Sequence, residues 1–140
     1  MALAGIHPQL HLMPFPLRDL VKAAGRWDGV QISRGVHSLV ALRLGYHTFA
    51  QGLSNGLIQM RFPVEWHDAL LKSGHCFPHP QLPGKEWLVC RLQQPEQMTA
   101  AQQLTRMAYL IACQTKWPEE WGTQPQFQEE LERFREGLFS

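Results

Sequence analysis

The side chains best suited to chemistry lie in one stretch of the sequence, residues 49–90. His75, Cys76 and His79 form the pattern H-C-x-x-H, and Lys85 follows six residues later. Imidazole and thiolate are good zinc ligands, so this spacing could supply three of the four bonds of a zinc site. No second cluster has an evident reason to converge on it. The competing interpretation is a surface corner with histidines at its edges.

The same corner allows a second chemical hypothesis, an enzyme centred on His75, Cys76 and His79. Thiolate catalysis needs a base within hydrogen-bond reach of the sulfur and surroundings that lower the thiol pKa. Cys76 and His79 are three positions apart on an extended segment, so their side chains usually point in different directions. A buried structural cysteine is the stronger competitor. The residues therefore favour binding over catalysis.

A third interpretation makes this corner the edge of a ligand pocket. Trp87 could form the floor of the pocket, with Lys85 near its mouth and His75 and His79 beside it. The default place for such a pocket is a cleft between the sheet and the long helix. We expect an unidentified small molecule or a protein as the partner.

Composition and missing motifs exclude several classes of function. Lys and Arg total 13 against 12 for Asp and Glu, so no broad basic field exists that would attract nucleic acid. The sequence contains no Gly-rich phosphate loop, no GxSxG and no HExxH, and we expect no cofactor. Its three cysteines form no CxxC pair, which indicates reduced thiols.

The chain also lacks the patterns of membrane insertion. No stretch reaches the roughly 20 apolar residues needed to span a bilayer. The first residues do not show a basic segment followed by a long apolar one, as a signal peptide would. We therefore expect a cytoplasmic protein with no membrane partner.

The order of elements indicates a single α+β domain over residues 1–140, a two-layer fold in which an antiparallel sheet of four to five strands packs against helices. Residues 1–14 form an arm, 15–116 the core, and 117–140 a Trp-containing connection with an amphipathic helix. The predicted helices are Pro16–Ala24, Val64–Lys72, Glu96–Thr115 and Gln126–Leu138, and the predicted strands are Val30–Ile32, Ser38–Leu44, Tyr46–Leu53, Leu57–Phe62 and Trp87–Leu92. The three-proline segment FPHPQLPG is predicted to be an extended corner.

The C-terminal segment offers a different class of function, protein interaction or dimerisation. Its apolar stripe either packs on its own domain or docks another chain, including a second copy in a homodimer. Two tryptophans in the polar connection could add an exposed contact. The partner-binding candidates are Trp117, Trp121, Phe127, Leu131, Phe134 and Leu138.

The central part of the chain resembles a known family. Phe49-Ala50, the Asn55-Gly56 turn, the alternating strand Leu57–Pro63, and the His79-Pro80 corner before a strand occur in the order typical of the luciferase domain. The family pattern ends with a long helix, and in this chain the resemblance extends to about Ile111 in the predicted helix Glu96–Thr115. The element order is also similar to that of MmcQ/YjbR-type two-layer domains. The resemblance implies a small α+β domain of uncharacterised function.

The chain departs from the family at polar positions. Where the family tends to place histidines around its turn, this sequence has Gln51, Leu53 and Gln59. The family's Pro-Arg pair after the last strand is Leu92-Gln93 here. If those family residues form a site, this protein has lost or rewritten it. The sequence as a whole predicts a small binding domain, with an interaction module and an enzyme or metal site as alternatives.

Overall fold

The computed structural model describes residues 13–35, 38–53, 55–79, 86–116 and 125–139, apart from the side chains at positions 116, 138 and 139. Six strands and four α-helices lie in these ranges, with two 3₁₀ turns at Val64–Trp66 and Pro95–Gln97. The helices are α1 Phe15–Ala24, α2 His67–Lys72, α3 Met98–Lys116 and α4 Pro125–Phe139. The strands are β1 Val30–Ser33, β2 Val40–Leu44, β3 His47–Gly52, β4 Leu57–Arg61, β5 Cys76–Pro78 and β6 Trp87–Arg91.

The strands form one antiparallel sheet in the order β1-β2-β3-β4-β6-β5. The α+β class, the antiparallel sheet and the long helix are confirmed, and the six strands of the described residues are slightly more than the predicted count of about four to five. The additional strand is β5, which begins at Cys76 and runs into the segment FPHPQLPG predicted to be a corner. Pro78 is tolerated there because β5 is an edge strand, where a missing backbone N–H interrupts no central ladder.

The turn between β3 and β4 shows why the local prediction of pairing succeeds. Gly56 has φ +81°, a conformation that side-chain-bearing residues rarely adopt, and the Asn55 Oδ1 accepts a hydrogen bond from the Leu57 N–H at 3.2 Å. Residues on either side then pair in register, with Gly52 opposite Ile58 and Gln51 opposite Gln59. The hairpin geometry thus follows from the Asn-Gly pair.

One face of the sheet is the core. The row Ile32, Leu42, Ala50, Met60 and Leu88 runs across five strands, and every member is buried. A bulge in β3 leaves Phe49 without a partner, because Thr48 pairs with Arg43 and Ala50 with Leu42. A bulge re-aims a side chain, and here the Phe49 ring lies 5.7 Å from the Tyr109 ring of α3.

The helices stack on this same face in two tiers. α3 contacts the sheet, where the Thr105 hydroxyl lies 3.7 Å from the Met60 sulfur. α4 packs on the outside of α3, with the rings of Phe127 and Tyr109 5.9 Å apart. None of the helices in the described part of the chain combines the length and the apolar character needed to cross a membrane.

Candidate functional site

A groove formed by described residues lies between α3 and α4, and its volume is about 520 Å³. Leu104 and Met107 of α3 and Phe134 of α4 supply its apolar walls. The turn before β5 closes one side with Ser73 and His75. Gln103, Glu130 and Arg133 line the rim, and small residues, Ala100 and Gly137, leave the space open.

A single arginine attaches α4 to α3 beside this groove. Arg106 donates two hydrogen bonds to Glu130, at 2.7 and 2.9 Å. Its guanidinium also lies about 5 Å from the rings of Trp27, Tyr109 and Phe127, at 5.1, 4.9 and 5.5 Å. Burial acts to lower the pKa of Arg106, but the hydrogen bond and charge of Glu130 outweigh it and raise the pKa. The guanidinium therefore stays charged.

The polar side chains at the rim of the groove differ in whether they already have a partner. Glu130 is already engaged by Arg106. The side chains of His75 and Arg133, in contrast, make no hydrogen bond or ion pair within the described part of the chain. The groove therefore presents apolar walls together with an available guanidinium and imidazole, a combination suited to an apolar molecule that carries a negative group.

The H-C-x-x-H residues do not share one site. Residues Cys76–Pro78 form β5, and alternation along a strand sends neighbouring side chains to opposite faces. Cys76 is buried on the core face, where its thiol donates to the Leu70 carbonyl oxygen at 3.4 Å. His79 lies against Gln59, a residue of the opposite face, with their Nε2 atoms 3.0 Å apart. His75 is exposed beside the groove.

Two further observations bear on the metal and enzyme hypotheses. Burial raises the pKa of Cys76 to about 11, so the thiol is protonated at neutral pH and is not an activated nucleophile. Among the described residues, no group of three or more His, Cys, Asp or Glu side chains is placed to hold a metal ion.

The sheet face opposite the described helices gathers polar positions at which this chain departs from the luciferase-domain pattern. Gln51 and Gln59 are directly opposed on β3 and β4. Gln51 accepts a hydrogen bond from Ser38 at 3.0 Å, and Gln59 bonds to His79. In the sequence, Gln51, Gln59 and His79 stand out separately, and nothing local to each of them indicates that they lie together. The register around the Asn-Gly turn was the signal that could have joined the two glutamines.

Trp87 belongs to this face as well. It is half-buried beneath Arg61, whose guanidinium lies 4.8 Å from the ring centre. The ligand-binding residues predicted from the sequence therefore lie in two places. His75 is at the groove, whereas His79 and Trp87 are on the opposite face of the sheet. Lys85 lies outside the described residues.

The C-terminal candidates divide in a similar way. Phe127 and Leu131 are buried against their own domain, each with an exposed fraction of 6%. Phe134 is half-buried and forms a wall of the groove. Trp117 and Trp121 and the side chain of Leu138 lie outside the described residues. No described part of the stripe is left fully exposed.

A second cavity of about 370 Å³ opens next to the groove, between β5, β6 and the start of α3. Cys76 and Cys90 both line it, and they are directly opposed in the pairing of β5 with β6. His75, Arg91 and Glu96 are also among its lining residues. Burial raises the pKa of the Cys90 thiol to about 12, and the neighbouring Cys76 adds to the effect.

Comparison with protein families supports the likeness seen in the sequence. A family model described as Luciferase domain matches residues 50–108, which confirms the resemblance over that segment. Searches of curated proteins and of solved structures found no match. The matched segment contains Gln51, Gln59, His79 and both opposed cysteines, and it ends before α4. The match therefore does not include α4, the outer wall of the groove.

Proposed function

We propose, with the Luciferase domain match over residues 50–108 as the starting point, that this chain is a small-molecule binding domain whose site is the α3–α4 groove. The observation that carries the proposal is the groove itself. Its volume of about 520 Å³ lies within the roughly 300–1,000 Å³ typical of ligand sites. Apolar walls with a few polar groups at the rim are also typical of such sites.

The rim defines the class of ligand. Arg133 and His75 are available to accept a negative group, whereas the carboxylate of Glu130 is held by Arg106. Leu104, Met107 and Phe134 would contact the rest of the molecule. The proposed ligand is therefore a small, mostly apolar molecule carrying one carboxylate, sulfonate or phosphate.

Binding without catalysis is the form of function that we propose. Burial raises the pKa of Cys76 to about 11 and that of Cys90, the other thiol in the neighbouring cavity, to about 12, which disfavours catalysis by a nucleophilic thiolate. Among the described residues, no cysteine lines the groove and the one carboxylate there, Glu130, is paired with Arg106. The interaction-module alternative loses support because Phe127 and Leu131 are buried within the domain. The compartment and the oligomeric state remain predictions from the sequence.

Two dyes of similar shape test the ligand class. 8-Anilinonaphthalene-1-sulfonate carries a negative group, and N-phenyl-1-naphthylamine is its neutral counterpart. We expect fluorescence titration to show that the wild-type protein binds the sulfonate about tenfold more tightly, as one charge-assisted contact would give. Arg133→Gln should remove this preference. Arg135→Gln is the matched control, because Arg135 lies on α4 but stacks on Trp66 instead of lining the groove.

A second pair of variants tests the location of the site. Gly137 lines the groove, and a Cβ atom added there meets nothing within 4 Å. Gly137→Trp should therefore fill the groove and abolish binding of both dyes, whereas Gly137→Ala should leave binding intact. Unchanged binding by Gly137→Trp would place the ligand elsewhere and contradict the proposal. Equal binding of the two dyes would contradict the anionic class alone.

A further inference from the structure

Two of the three cysteines are brought together by strand pairing. Cys76 of β5 and Cys90 of β6 are directly opposed in the antiparallel register. Both are buried, with exposed fractions of 8% and 2%, and both are free thiols. They face the core side of the sheet together with Ile58, the partner of Cys90 on β4. The sequence, in which they are far apart, gives no sign of this pair.

The distances in such a pair suit a shared ligand. Directly opposed residues of antiparallel strands have Cβ atoms about 4.5–5.5 Å apart. Two thiolates bound to one metal ion at about 2.3 Å each need sulfur atoms no more than about 4.6 Å apart. Rotation about the Cα–Cβ bonds of Cys76 and Cys90 can meet this requirement without any movement of the strands.

The two thiols border a cavity, and their hydrogen bonds are long. Each thiol makes one long hydrogen bond to a carbonyl oxygen, Cys76 to Leu70 at 3.4 Å and Cys90 to Arg91 at 3.6 Å. Both cysteines line the 370 Å³ cavity between the strands and α3, which has room for an ion beside them.

We propose that Cys76 and Cys90 form a two-thiolate site for one soft, monovalent metal ion of the Cu(I) class. Soft thiolate ligands select such ions, whereas zinc normally takes four protein ligands. The described residues offer no third His, Cys, Asp or Glu positioned for the same ion. Each thiol releases one proton when the ion binds, so two protons leave for each ion bound. The site is separate from the α3–α4 groove and does not depend on the function proposed for it.

The test is an anaerobic titration of the reduced full-length protein with Cu(I), in competition with the chelator bicinchoninate. We expect one ion per chain by native mass spectrometry, and an affinity that rises about a hundredfold for each unit of pH below the thiol pKa values, because two protons are released. Cys76→Ser and Cys90→Ser should each weaken binding by roughly 100-fold or more, since loss of even an outer-shell partner costs 10–100-fold.

The third cysteine provides the matched control. Cys113 is buried in α3 and does not line the cavity, so Cys113→Ser should retain the site. X-ray absorption of the wild-type complex supplies a readout that needs no variant, and two sulfur neighbours per copper are expected. One sulfur per copper, an affinity independent of pH, or equal loss in Cys113→Ser would overturn the proposal.

Discussion

The Arg106–Glu130 pair is the interaction whose removal gives the most informative measurement. Charge-assisted hydrogen bonds contribute about 1.5–3 kcal/mol, whereas exposed ion pairs contribute about 0.2–1 kcal/mol. This pair is bidentate, and its side chains are 21% and 26% exposed, which places it between those limits. We therefore expect Glu130→Gln to lower the free energy of unfolding by about 1–2 kcal/mol.

Urea unfolding followed by tryptophan fluorescence measures this change. With an m value of about 2 kcal/mol/M, the midpoint should fall by roughly 0.5–1 M. Glu129→Gln is the matched control, because Glu129 is exposed on the same helix, and its unfolding free energy should change by less than about 0.5 kcal/mol. A midpoint for Glu130→Gln equal to that of the control would refute the argument that this pair attaches α4.

Three further predictions concern the core, the turn and the thiols. Phe49→Ala should lower the free energy of unfolding by about 3–5 kcal/mol in urea titrations, because Phe49 is fully buried, while Phe15→Ala, at 71% exposure, should change it by less than about 0.5 kcal/mol. Gly56→Ala should cost about 1–2 kcal/mol by thermal unfolding because of its φ of +81°, and an unchanged melting temperature would contradict the turn geometry. A thiol in the unfolded chain has a pKa of 9.0, whereas burial raises the pKa of Cys76 to about 11 and that of Cys90 to about 12. The two buried neutral thiols therefore contribute their full stability below pH 9, and this contribution declines as the pH rises to 12. Urea titrations across this range should show a shallower decline for the double Cys→Ala variant, and parallel curves would count against buried neutral thiols.

The β3–β4 hairpin and the end of the long helix are examples of features that a few neighbouring residues predict correctly. The Asn55-Gly56 pair predicted the β3–β4 hairpin, and helical spacing predicted an end near Thr115 for a helix that ends at Lys116. The observed starts of α2 and α3 lie later than the predicted ones, because a 3₁₀ turn precedes each helix. Such signals depend on a few consecutive residues, which is why they can be interpreted without the rest of the chain.

Elements defined by distant residues could not be predicted in this way. β5 is three residues long and contains proline, so only its pairing with β6 makes it a strand. Without β5, the alternation that separates Cys76 from His79 was hidden, and so was the opposition of Cys76 and Cys90. The α3–α4 groove depends on the packing of two helices about Arg106, which no local pattern specifies.

The strand order has a consequence for how the chain folds. β1 to β4 are each paired with their neighbour in sequence, so these contacts close short loops. The β4–β6 ladder instead joins Leu57 to Arg91 and must wait for the intervening residues to be arranged. Because closing a long loop costs more entropy than closing a short one, we expect a nucleus in the β2–β3–β4 meander, with β6 and β5 added afterwards. Substitutions in β3 should then slow folding, whereas substitutions in β5 should chiefly accelerate unfolding.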